Sequence, residues 1–330
     1  MTLVIACISG PVLCAEPEGP GIATLFPGDV GIASHPAVVF VEDYEEASIG
    51  EMLARWEDVS SSQSMSFSTD VPAGSGGAQS VYFAGSAGTY RRVLPGHEKL
   101  YFRYYVKYAT DTVEEHHSVW MGGHNPSTAW PWPRAGQRPD GIGWWSTGVE
   151  PSGSLWLWDF YTYWQEMRGN PGDSSFWGNS FPLASPRPAN RGEWICVELM
   201  VKMNDPVSSH NGEQAYWIDG QLVNHLGLGF PNGSWIWDSF HVSPSGSPFE
   251  GFQWRLDPAL DINYVWINHY VDSDPDAGAW YDHVVVATEY IGPMASGGAL
   301  SIEDAQVDET DSGQTTATFD VTLGSIPQAE

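Results

Sequence analysis

Three histidines fall within nine residues: His116, His117 and His124. Two tyrosines follow in a Tyr161-x-Tyr163 pattern, and Arg134, Arg138 and Arg168 lie between and just beyond them. Imidazole suits a general base because its unperturbed pKa lies near neutral. A phenol suits an acid, and it can serve as a base once deprotonated. The arginines supply positive charge for an anionic substrate. The same stretch carries Trp120, Trp130, Trp132, Trp144, Trp145 and Trp158. An indole face attracts the C–H groups of a sugar ring, and Asn125 and Asn268 add hydrogen-bonding groups. The expectation is a sugar-binding cleft equipped for proton transfer.

Other chemistries compete for these residues. The HHx₆H spacing offers three imidazoles to a metal, although it matches no recognised zinc pattern. Glycoside hydrolysis needs two carboxylates about 5–10 Å apart. Candidates are Glu150, Asp159, Glu166, Glu198 and Asp219, but no E-x-D-x-E signature joins them, and Asp219-Gly220 reads as a hairpin turn. A lectin-like module would need only the tryptophans and a few polar groups. No Ser-His-Asp order or phosphate-binding glycine loop is present.

The elements that must position these groups are strands. Short apolar runs recur between Gly, Pro, Ser and Asn clusters. In LYFRYYVKY (100–108), Tyr101, Arg103, Tyr105 and Lys107 share one face, and Phe102, Tyr104, Val106 and Tyr108 the other. In SLWLWDFYTYW (154–164), Trp156, Trp158, Phe160, Thr162 and Trp164 face one way; Asp159, Tyr161 and Tyr163 face the other. One helix is expected, over 43–58, from apolar spacings of three and four. The long stretch 122–153 reads as a Trp-rich functional loop. Many strands with one short N-terminal helix predict an all-β, two-sheet antiparallel sandwich of jelly-roll type.

Composition narrows the partners. With 13 Lys+Arg against 41 Asp+Glu, the formal net charge is −28. Such a surface repels nucleic acid and anionic membranes. The 17 Trp, 14 Tyr and 13 Phe exceed what one core needs, which points to a polysaccharide partner.

Three segments are expected: a signal peptide over 1–15, a carbohydrate-active domain over 16–298 and a distinct acidic segment over 299–330. Leu3 to Ala15 is apolar, ends in small residues and is too short to span a bilayer, so a secreted, extracellular protein without membrane insertion is expected. A lipoprotein box ending at Cys7 is the alternative. With Cys7 and Cys14 in the leader, Cys196 remains as a buried small residue and no intrachain disulfide is possible.

LYFRYYVKY, HHSVWMGGHN, WWSTGVEPSGSLWLWDFYTY, RGEWICVELMVKMND, NGEQAYWIDGQLV and WYDHVVVATEYIGP together resemble the concanavalin-A-like jelly rolls of polysaccharide lyases, in particular the alginate-lyase-like family fourteen. The resemblance implies β-elimination, with the Tyr-x-Tyr on a cleft strand as acid or base and a basic residue, His116 or His117, before a Gly122-Gly123 turn. It also implies a Ser-x-Arg on the preceding strand. Here that stretch reads Ser146-Thr147-Gly148, so the arginine is missing. Arg134, Arg138 or Arg168 would have to neutralise a uronate in its place. No cofactor is required by this chemistry. Residues 299–330, with ALSIEDAQVDE and TATFDVTLG, resemble the opening of a Calx-β module. That resemblance implies further C-terminal modules and possible calcium ligands at Glu303, Asp304, Glu309 and Asp311.

Overall fold

The computed structural model describes residues 19–113, 115–131, 134–271 and 277–296, together with the backbone of 300–302 and 321–323. Two antiparallel sheets face each other. One contains β1 (Val38–Glu42), β3 (Met65–Ser68), β4 (Ser80–Ala84), β6 (Lys99–Tyr108), β10 (Ile195–Lys202), β11 (Glu213–Ile218), β12 (Gln221–Leu226) and β17 (Gly278–Ala287), ordered β12-β11-β10-β6-β17-β4-β3, with β1 also paired to β17. The other is ordered β2-β5-β16-β7-β8-β9, from β2 (Asp58–Ser60), β5 (Ala87–His97), β7 (His117–His124), β8 (Trp144–Ser152), β9 (Leu157–Tyr163) and β16 (Ile262–Tyr270). A small sheet of β13 (Asn232–Ile236), β14 (Ser239–Val242) and β15 (Ser247–Pro248) stands beside them. The expected all-β sandwich is the observed architecture.

Alternation explains which residues enter the core. Phe102, Tyr104, Val106 and Tyr108 point between the sheets and are fully buried. The opposite face of β6 is covered too. Tyr101 packs with Trp217 and Tyr290 beneath the three short 3₁₀ turns between Ile22 and Ser34. From β9, Trp158, Phe160 and Thr162 enter the core. Thr162 and Thr147 share hydrogen bonds with each other and with Gln214 of the facing sheet, at 2.8–3.3 Å. These hydroxyls satisfy the buried Gln214 amide oxygen, which unpaired would cost about 1–3 kcal/mol. Cys196 is a free, buried thiol. The β11–β12 hairpin turns on Asp219 and Gly220, both at positive φ, as expected.

Three local expectations need correction. The helix spans Ile49–Leu53 alone, because Tyr44 sits at a positive φ of 57° and the chain first becomes helical after Ser48, whose hydroxyl caps Glu51 N. Gly122-Gly123 is not a turn. Both residues lie inside β7, opposite Ser146 and Trp145. The irregular connection is therefore 125–143, shorter than 122–153. No helix among the described residues is long and apolar enough to cross a membrane. The segment 1–15, Trp132, Glu303, Asp304, Glu309 and Asp311 lie outside the described residues. Of the C-terminal segment, Leu300–Ile302 and Val321–Leu323 form an antiparallel backbone pair.

Candidate active site

Strand register builds the site in rows across the six-stranded sheet. Tyr264, Gly122, Ser146 and Tyr163 form one row; Trp266, Trp120, Gly148 and Tyr161 form the next. His124 lies opposite Trp144 on one side, and Glu150 opposite Asp159 on the other. Glycines make room for the aromatics. A Cβ on Gly122 would lie 2.4 Å from the Tyr264 hydroxyl, and one on Gly148 2.3 Å from the Val119 carbonyl. Tyr264 thus crosses over Gly122.

These rows floor a small cleft of about 90 Å³. Its lining includes His117, Trp120, Arg134, Trp144, Ser146, Tyr163, Tyr264, Trp266 and Asn268. Tyr161 adjoins it: its ring lies 5.3 Å from His117 and 5.9 Å from Trp120, and its hydroxyl lies 3.5 Å from that of Tyr163. Arg134 comes from the 125–143 connection and sits over Trp144, 5.5 Å from its ring centre.

His117 is tied to a buried carboxyl. Its Nδ1 lies 2.9 Å from Glu150 Oε2. Burial pushes the Glu150 carboxyl well above its usual range and the His117 imidazole down to about 4, so each group favours its uncharged form. With the proton on the carboxyl, it donates to Nδ1 and the other ring nitrogen carries hydrogen. When the pair gives up one proton, the remaining one moves to Nδ1 and the other nitrogen becomes a base. Burial also raises the phenols of Tyr161 and Tyr163, which keeps both protonated at neutral pH. Burial, together with the positive charge of Arg134, lowers His124 to about 4, and its ring stacks on Tyr264 at 5.1 Å.

Asp159 is held differently. Its Oδ1 accepts from Phe160 N and Phe181 N at 2.8 and 3.0 Å, while burial raises its carboxyl to about 7. Among the other carboxylate candidates, Glu198 accepts Ile291 N and Gly292 N, both at 2.8 Å. Asp219 closes its hairpin and pairs with Arg187, and Glu166 meets His210.

Several candidates fall outside the cleft. Trp145 and Trp158 are 0% and 2% exposed and lie between the sheets, so neither can offer a face to a sugar. Trp145 packs on Trp254 instead. Arg138 donates to Gln165 O, and Arg168 pairs with Glu250 over the Trp235 ring. These contacts draw both arginines away, and Arg134 alone of the three lines the cleft. Trp120 and Trp144 are 6% and 4% exposed and act as a packed floor. Trp130, in the connection, is an open indole at 58%. Asn125 donates its backbone N–H to Gly143 O at the base of the connection. His116 borders a second cavity with Glu115, Glu150 and Trp156. Sequence reading missed Tyr264, Trp266 and Tyr270 as site residues. The signal was present: they alternate along INYVWINHY with Asn268, and that face is the cleft face.

No family model matches the chain, and no curated protein does. Among solved structures, the chain is similar to a mutant of alginate lyase Aly36B in complex with alginate trisaccharide: TM-score 0.48, 12% identity, covering 76% of this chain and 94% of that one. It is also similar to the cellulose-induced protein Cip1, with TM-score 0.44, 14% identity and coverage of 77% and 99%. The receptor-binding domain of a botulinum neurotoxin C/D mosaic serotype follows at TM-score 0.38 and 8% identity, covering 78% of this chain and 49% of that one.

Proposed function

We propose that this chain is a secreted polysaccharide lyase that cleaves a uronate-containing polymer by β-elimination. One observation carries the reading. His117, Tyr163 and Arg134 line a single aromatic cleft whose described lining contains no Asp or Glu. In the elimination, a base removes the C5 proton, the C4–O bond breaks, a C4=C5 double bond forms and the leaving oxygen takes a proton. Arg134 meets the uronate carboxylate and makes C5 more acidic. It supplies the charge that the Ser146-Thr147-Gly148 stretch lacks. The His117–Glu150 pair, in the form that has already given up one proton, accepts the C5 proton at the imidazole nitrogen turned away from Glu150. Tyr163, with Tyr161 beside it, donates to the leaving oxygen.

A second reading is hydrolysis by Glu150 and Asp159, which face each other across β8 and β9. Two backbone N–H groups already occupy Asp159 Oδ1, and His117 occupies Glu150, so neither is positioned as a free carboxylate. The discriminating experiment incubates the protein with a panel of uronate polymers and neutral glycans. Ultraviolet absorbance of the unsaturated uronate and new reducing ends are followed together. Both should rise on a uronate polymer. Reducing ends without absorbance would establish hydrolysis. Binding without either product would leave a lectin-like role.

A further inference from the structure

Adjacent residues in a strand point to opposite faces, yet His116 and His117 lie side by side. The chain bends at His116, whose backbone N–H donates to Tyr270 O at 2.9 Å, and β7 begins only at His117. The two imidazoles stack with centroids 4.1 Å apart and planes 26° apart. Glu150 reaches the same point from β8. One ligand atom from each of the three residues lies within 4.8 Å of the other two.

Two imidazole nitrogens and one carboxylate oxygen suit borderline divalent ions such as zinc, cobalt, nickel or copper. They suit calcium and magnesium poorly, because those ions take oxygen ligands. Tetrahedral bonds of about 2.0–2.2 Å put neighbouring ligand atoms roughly 3.3 Å apart. Metal binding would require side-chain rotation to close the present spacing to that value. The second cavity, bordered by His116, Glu150 and Ser152, leaves room for a water ligand in the fourth position.

We infer that His116, His117 and Glu150 form a reversible binding site for a borderline divalent transition-metal ion, and that occupancy silences the proton-transferring pair. The ion takes the lone pairs that the shared proton uses, so binding releases a proton. The inhibitory consequence rests on the proposed lyase reading; the binding itself does not.

The test uses the untagged, chelator-treated full chain, titrated with Co²⁺ and, by calorimetry, with Zn²⁺. One equivalent of Co²⁺ should give the intense visible absorption of a four-coordinate site. His116→Ala and Glu150→Gln should each weaken affinity at least about tenfold, since even outer-shell partners are worth about 10–100-fold. His124→Ala should bind as the parent does. Circular dichroism checks that each variant is folded, and His116→Ala at the strand end decides the matter if Glu150→Gln is not. Undiminished binding in His116→Ala, or a weak octahedral spectrum, would overturn the site. Full depolymerising activity with the site saturated would overturn the inhibition while leaving the site standing. If no substrate is cleaved at all, the lyase reading fails, and the titrations still decide the metal site.

Discussion

Glu150 Oε2 lies 2.9 Å from His117 Nδ1, and the carboxyl is buried behind the imidazole rather than open to the cleft. A carboxylate in that position orients the ring and sets which nitrogen carries hydrogen. In Glu150→Gln the side chain keeps its size and can still hydrogen-bond, but it can no longer share the proton. On a uronate polymer, kcat should fall by about 10²–10⁴-fold with KM little changed. Steady-state kinetics with a melting curve checks this. A parental kcat in a folded variant removes the pair from the chemistry.

Tyr163 is held protonated by burial and sits beside the Tyr161 hydroxyl. Tyr163→Phe removes the donor while keeping the ring packed against Trp144 at 5.8 Å. Activity should drop by about 10²-fold or more. Adding Tyr161→Phe should cost less than it does alone, because groups acting as a unit are not additive. Independent, additive losses would assign the two hydroxyls to separate steps.

Arg134 is the cleft's described arginine, and the role proposed for it is charge. Arg134→Ala should raise KM on a uronate polymer at least about tenfold, in line with the loss of a charge-assisted contact worth about 1.5–3 kcal/mol. Added salt should weaken binding by the parent more than by the variant. Equal binding of charged polymer by parent and variant would show that the arginine does not touch the carboxylate.

Glu198 belongs to the framework. It accepts two buried backbone N–H groups, from Ile291 and Gly292. Glu198→Ala orphans both, at about 1–3 kcal/mol each. Denaturant unfolding should show that loss, while the folded fraction keeps its specific activity. A stable but inactive variant would instead return Glu198 to the list of catalytic carboxylates.

Glu213 predicts a pH dependence of stability. Burial would raise its carboxyl, but hydrogen bonds from His225 and Lys202 outweigh this and hold it down to about 2. A depressed carboxyl stabilises the fold above its ordinary range near 4.5, and that contribution disappears as pH falls toward about 2. Glu213→Gln should therefore melt below the parent at neutral pH. The gap should narrow through that acid window. A gap independent of pH would mean the charge is not what Glu213 contributes.

The sequence by itself determined many of the strands, their two-faced character and the Asp219-Gly220 hairpin, because alternation and turn chemistry are local, but it read β8 (Trp144–Ser152) as part of a loop. It placed Asp159, Tyr161 and Tyr163 on one face of β9, where they are found. It could not say which face of a strand meets the second sheet. Trp158 and Trp145 therefore read as sugar platforms, although cross-sheet packing buries them. Pairing between distant strands also lay beyond it. Only the register of β7 with β8 and β16 brings Glu150 to His117 and fills the space over Gly122 with Tyr264. The bend at His116 and the path of the 125–143 connection decide the rest: they set two imidazoles together and deliver Arg134 to the cleft. Period-two patterning encodes faces, and only tertiary contacts decide what each face touches.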